Sequence, residues 1–265
     1  MRKLRIGILG AARITEPALI DPARETGDAL VAVAARSRDR ARAGVVVIEA
    51  FHYLHHPVMR RMLQLVADGE LGELRTVEAH VSMPAPPDTD PRWSLELAGG
   101  AVMDLGCYGL HALRMLAPFA GGAPAVGSAR AAERPGHPGV DEWLTAELDY
   151  PGGTRGLLHC SMNDDRRVTL RVVGEHGEAC AANFVLPHRD DRIEIRTRTG
   201  VRTEQLGRRS SYIYQLEALR AHLLDTAPFP LDTADAVANA ELVDAVYLAA
   251  GLPVRPATHI PEVTG

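Results

Sequence analysis

The chain has 265 residues, 46% of them hydrophobic, and a formal net charge of -5. That is enough apolar mass for one large or two modest cores, and the wrong sign for a protein that grips nucleic acid through its phosphates. Three cysteines, Cys107, Cys160 and Cys180, lie outside any CxxC spacing, and Arg13 and Glu16 interrupt a signal-like start. A disulfide scaffold, a zinc knuckle and a secretion signal are therefore not indicated, and no segment reaches the roughly 20 apolar residues that span a bilayer. The expectation is a soluble, cytoplasmic protein with a small-molecule partner.

Leu4 to Leu9 reads as a strand that breaks at Gly10 and continues through Ala11, Ala12, Arg13 and Ile14 into a helix carrying Pro17. Such a turn lets the backbone approach a pyrophosphate, whose charge the helix N-terminus meets. The full glycine fingerprint would fall on Gly10, Ala12 and Thr15, so the match is partial and an ordinary strand-to-helix turn remains the alternative. Ala29 to Ala35 is the second strand of a βαβ unit and runs into Arg36-Ser37-Arg38. Serine and arginine there suit a 2′-phosphate, which favours NADP over NAD, unless Arg36 to Arg42 is simply a solvated basic helix. Gly44 to Phe51 reads as a further buried strand, yet Ser37 to Ala43 is too short for a comfortable parallel crossover. A six-stranded dinucleotide domain cannot be completed here.

His52-Tyr53-Leu54-His55-His56-Pro57 offers imidazoles but no carboxylate or cysteine at helical ligand spacing, so a domain junction is preferred to a metal site. Pro57 starts a helix through Met59, Met62, Leu63, Leu65 and Val66 that stops near Gly69. From Leu74 the pattern alternates with period two: Arg75 to Val81, Glu142 to Leu148, Thr154 to Cys160, Val168 to Val173 and Arg192 to Thr197. These are the strands of an antiparallel sheet with one face covered. Inserted among them, Gly99-Gly100 leads into a helix from Val102 to Leu116 that supplies the cover. On its wheel Val102, Leu105, Leu110, Leu113 and Leu116 share one side; Asp104, Tyr108 and His111 share the other. An acid, a phenol and an imidazole on one stripe can donate, accept and move protons, although helix-dipole and half-buried packing roles suit the same residues. Two more helices follow, near Tyr212 to Leu224 and Ala234 to Ala250, the second closed by Gly251 and Pro253.

With Ile6 to Ile14, Glu49-Ala50-Phe51 leading to His56-Pro57, Gly99-Gly100 through Asp104-Leu105-Gly106-Cys107-Tyr108, and Tyr214 to Glu217 followed by Ala250 to Pro253 in place, the chain resembles the Gfo/Idh/MocA family of NAD(P)-dependent oxidoreductases. The similarity is to its glucose-fructose oxidoreductase and dihydrodiol dehydrogenase-like branch. The resemblance implies an α/β plus α+β protein. A Rossmann-like part over residues 1–55 would bind the cofactor through Gly10, Ala11, Ala12, Arg13, Ile14, Ser37 and Arg38. A substrate and oligomerisation domain over residues 56–265 would carry an open-faced sheet that often joins copies into a homo-oligomer. It further implies hydride transfer to or from a sugar, polyol or related alcohol or carbonyl, with Asp104 and Tyr108 matching family positions and His111 one turn on. The family's Glu-Lys-Pro lysine has no counterpart, since Lys3 is the chain's one lysine. The short crossover and the missing lysine converge on an internally deleted member, joined between Ala43 and Gly44. Its turnover would be impaired, or lost in favour of self-association through the sheet.

Overall fold

The computed structural model describes residues 4–9, 14–34 and 48–256. Strand β1 (Arg5–Leu9) and strand β2 (Ala29–Ala34) pair in parallel, with Ile6 opposite Leu30. The crossover between them is helical, a π-turn over Glu16–Ile20 running into α1 (Asp21–Thr26), which ends at Gly27 with φ 73°. Only glycine takes that left-handed stop at no steric cost, which is how the chain turns back into β2. Leu4 and Ala23 of this unit bury against Leu216. The βαβ reading therefore holds for its strands and helix. Gly10 to Arg13, Ser37, Arg38 and the Ala43–Gly44 junction lie outside the described residues, and described Ile14 is exposed.

The expected strand at Gly44 to Phe51 is not seen over its described part. Residues 48–51 are irregular and His52–His55 forms a 3-10 turn. Phe51, Tyr53 and Leu54 drop instead into the main core, where apolar side chains gain more than they would at the edge of a two-stranded sheet. Helix α2 (Pro57–Ala67) begins as expected, with Pro57 in its first turn and the His56 imidazole accepting the Val58 N–H at 3.2 Å.

The large sheet has eight strands: β3 (Leu74–Ser82), β4 (Ala125–Glu133), β5 (Asp141–Asp149), β6 (Arg155–Ser161), β7 (Arg167–Gly174), β8 (Gly177–Ala181), β9 (Arg192–Thr197) and β10 (Gly200–Gln205). Their spatial order is β10-β9-β8-β7-β3-β6-β5-β4. All neighbours are antiparallel except β3 and β6, which run parallel with His80 opposite His159. Three strands escaped the sequence pattern. β4 is small-residue rich at a sheet edge, β8 is five residues long, and β10 is nearly all exposed, so none shows the apolar alternation that a half-buried strand needs.

One face of the sheet packs beneath α2, α3 (Cys107–Met115) and α5 (Thr233–Ala249), while α4 (Ser211–Asp225) lies against α1 and the His52–His55 turn; the other face is open. The helix expected from Val102 opens as a five-residue π-turn, Val102–Gly106, before becoming α-helical. It approaches the sheet closely because Gly106 and Gly109 face it. A Cβ on Gly109 would meet Leu158 Cδ1 at 2.4 Å, and one on Gly106 would meet Cys160 Sγ at 2.9 Å. Leu110 and Leu113 are fully buried there, each gaining on the order of 2 kcal/mol from desolvation.

Candidate functional site

The three residues expected on one helical stripe meet different partners. Asp104 leaves the π-turn toward Arg92, whose Nε donates to it at 2.9 Å. His111 is completely buried, with Nδ1 2.7 Å from the Tyr53 hydroxyl and Nε2 3.1 Å from Asp235 Oδ2. Arg114 donates to the other Asp235 oxygen at 3.0 Å. Burial drives the His111 pKa down despite Asp235, so the ring is neutral. Burial pushes the Asp235 carboxyl up, but His111 and Arg114 outweigh it and hold it below the usual carboxylate range. One proton arrangement satisfies the row: Tyr53 donates to Nδ1, and Nε2–H donates to the carboxylate. This row holds the His52–His55 turn, α3 and α5 together.

Tyr108 is the member left available. It is half-buried, its ring meets Phe51 edge-on at 5.3 Å, and Phe51 in turn stacks on His111 at 4.0 Å. No described residue hydrogen-bonds its hydroxyl. Burial raises its pKa above the ordinary tyrosine value, reinforced by the negative ends of Cys107, Tyr212, Asp104 and Glu49 around it. Glu49 also has a raised pKa, first from burial and then from Asp235, with Arg114 opposing. The arrangement is a protonated phenol on an aromatic floor beside a carboxyl whose proton is held more tightly than usual. It can donate a hydrogen bond to a carbonyl oxygen.

Beside this floor lies a histidine cluster. His52 Nδ1 is 2.8 Å from the Ser211 hydroxyl, which His188 also approaches at 3.3 Å, and His55 stacks on Phe229 at 5.2 Å. Burial lowers the pKa of His52 to about 3 and those of His55 and His56 to about 4, with neighbouring charges adding to the effect on His52 and His55. A histidine whose folded pKa lies below its unfolded value stabilises the fold above that unfolded value. The contribution is lost as pH falls, because the unfolded chain then binds more protons. The urea midpoint is expected to fall steadily between pH 6.5 and 4. A flat midpoint across that window would show the cluster to be protonated in the fold.

Sequence reasoning named Glu49 only within a motif and missed Phe51, Tyr53, Tyr212 and Asp235 as site components. The dense run of aromatic and imidazole side chains at 51–56 was the available signal; nothing local marks Asp235.

Residues 59–180 match the family model described as the GFO/IDH/MocA C-terminal domain. Over 209 residues the chain is 32% identical to D-xylose 1-dehydrogenase (NADP(+)) 2 of Haloferax volcanii, covering 77% of this chain and 62% of that enzyme. Residues 59–180 thus carry the C-terminal domain of the Gfo/Idh/MocA family. The chain is also 35% identical over 152 residues to trans-1,2-dihydrobenzene-1,2-diol dehydrogenase of Bos taurus, covering 55% of this chain and 40% of that protein. A solved 3-ketoreductase from Actinomadura kijaniata, in complex with NADP and TDP-benzene, shares the fold. Its TM-score is 0.76 at 18% identity, over 94% of this chain and 98% of that one. The chain thus spans less than two thirds of the length of the curated relatives just described.

Proposed function

We propose that the chain is an NAD(P)-dependent oxidoreductase, using NADP in preference to NAD, that acts on a sugar, polyol or related alcohol or carbonyl. The observation that carries this reading is the Tyr108 hydroxyl on its aromatic floor, which no described residue hydrogen-bonds. The names of the relatives support it: an NADP-dependent xylose dehydrogenase and a dihydrodiol dehydrogenase. The parallel β1–β2 pair with its helical crossover fits the phosphate-bearing half of a dinucleotide. Gly10, Ala11, Ala12, Arg13 and Ile14 would hold the pyrophosphate, and Ser37 and Arg38 the 2′-phosphate. Bound NADP would accept or supply the hydride.

The chain's own part is to place the substrate oxygen at Tyr108 Oη and hold the proton there. Asp104 is tied to Arg92, and His111 holds Tyr53 by hydrogen bond and Phe51, the floor under Tyr108, by stacking. Without a Glu-Lys-Pro lysine to lower it, the phenol stays protonated through neutral pH. It therefore acts first as a hydrogen-bond donor that polarises a carbonyl.

Equilibrium dialysis of the whole chain against NADP and NAD, followed by turnover with D-xylose, tests the reading. Saturable binding, tighter for NADP, is expected. Absence of binding to either would leave the alternative, a non-catalytic, internally deleted member that acts through its sheet. The open sheet face is also where we place a homo-oligomer contact, and a monomeric mass by light scattering at micromolar concentration would remove it. The free thiols at Cys107, Cys160 and Cys180 support a cytoplasmic setting, and among the described residues no helix is long and apolar enough to cross a membrane.

A further inference from the structure

The open face of the sheet carries a second group of chemically capable side chains, remote from Tyr108. Parallel pairing sets His80 on β3 opposite His159 on β6, and side-chain alternation sends both imidazoles off the uncovered face with ring centroids 4.4 Å apart. The turn after β6 brings Asp164 beside them, with Oδ2 3.8 Å from His159 Nε2. That turn is fixed, because the Asp164 N–H donates to the Met83 carbonyl at 3.2 Å and the Asp165 N–H donates to Asp164 Oδ1 at 2.8 Å. One potential ligand atom from each of His80, His159 and Asp164 lies within 4.8 Å of the other two.

Two features of this cluster ask for an explanation. His159 Nε2 is buried and makes no hydrogen bond, a state that is rare for a ring nitrogen unless something else completes it. Two imidazoles tilted against each other at this distance also gain nothing by protonation. Burial lowers the pKa of His80 to about 4 and also lowers that of His159, so both present neutral lone pairs at neutral pH. Ser82 orients His80, its Oγ lying 3.2 Å from His80 Nε2 while donating to the Asp165 carbonyl. The charged residues that line the depression here are Glu78, Arg167 and Arg171. Arg171 is paired with Glu78 and Glu178, which leaves Arg167 as the cationic group opposing a bound cation and Asp164 as the anionic group favouring it.

We propose that His80, His159 and Asp164 form a binding site for a first-row transition-metal dication of the zinc class, with the remaining coordination position taken by water. Two imidazoles and one carboxylate are the ligand chemistry that zinc, cobalt and nickel accept, whereas magnesium and calcium require oxygen sets. Bonds of about 2.0–2.2 Å place tetrahedral ligand atoms roughly 3.3–3.6 Å apart. The half-exposed Asp164 side chain and rotation of the two rings supply the inward movement from the spacing seen here. The shallow depression over His80 and His159, about 200 Å³ in volume, leaves room for the ion and its water.

The test is titration of the metal-stripped full chain with Co(II), read as the visible absorption of a tetrahedral site, alongside calorimetry with Zn(II). One equivalent is expected to bind with tetrahedral cobalt bands. The H159N and D164N variants are expected to bind at least about 10-fold more weakly, since even disturbing outer-shell partners costs roughly 10–100-fold. The H80N/H159N double variant is expected not to bind. Far-UV circular dichroism and the thermal midpoint of each variant report that the sheet is intact. Less than one equivalent bound by the unsubstituted chain, or equal affinity in a folded double variant, would overturn the proposal.

Discussion

Replacing Tyr108 by Phe is expected to lower kcat/KM for the NADP-linked reaction by roughly 10²–10⁴-fold, the usual contribution of a placed proton donor, while leaving NADP affinity unchanged. The ring and its edge-on contact with Phe51 at 5.3 Å survive the change, and the lost hydroxyl has no described hydrogen-bond partner, so the fold should tolerate it. The raised Tyr108 pKa adds a second readout. A group whose pKa lies above the ordinary tyrosine value stays protonated through the neutral range, so the pH–rate profile should show no tyrosine limb below about pH 10. Retention of activity within about threefold in Y108F would remove the tyrosine from the chemistry. The corresponding change at His111 should act differently. It leaves Tyr53 and the Asp235 carboxylate short of a partner in the core, so stability falls before any kinetic step is exposed.

The second large effect is expected at Asp141, which is fully buried at the start of β5. Its carboxylate accepts the Val102 N–H at 2.7 Å and the Tyr247 hydroxyl at 3.0 Å, and it pairs with Arg255. Arg255 also donates to the carbonyls of Gly99 at 2.7 Å and Gly139 at 2.9 Å and lies 4.0 Å over the Tyr247 ring. Gly100 fits between them: its φ is 130°, and a Cβ there would come 2.0 Å from Asp141 Oδ1. The diglycine is therefore a packing requirement of this ion pair as well as a flexible approach to the helix. Asp141→Ala strands a buried guanidinium and is expected to cost roughly 3–5 kcal/mol, as broken buried pairs do. The urea midpoint measures it. Asp141→Asn, which keeps the shape and one acceptor, should lose less; a loss below 1 kcal/mol in the alanine variant would contradict the account.

The parts of the fold that could be read directly are those whose burial follows a single local period. Helix α2, with Pro57 at its start and apolar residues at Met59, Met62, Leu65 and Val66, matches the pattern because one face alone packs. β9 matches to the residue because Ile193 and Ile195 are buried between exposed neighbours. Strands β4, β8 and β10 failed to signal because edge position and shortness leave them without an apolar alternation. The Asp104–Tyr108–His111 stripe was legible as a spacing, but its partners were not. Arg92, Phe51, Tyr53 and Asp235 reach it from 12 to 124 residues away, and the π-turn at Val102–Gly106 changes the helix at the point where Asp104 leaves it.

By itself the sequence determined the βαβ start, the covered sheet with its helices, the family resemblance, and the phenol on which the proposed chemistry rests. All of these are written in local periodicity and short motifs. The tertiary structure alone decided that His111 is spent inside the core and that no described residue hydrogen-bonds the Tyr108 hydroxyl. It alone decided that His80 and His159 stand side by side, because a hydrogen-bond register between strands 79 residues apart leaves no trace in the order of either.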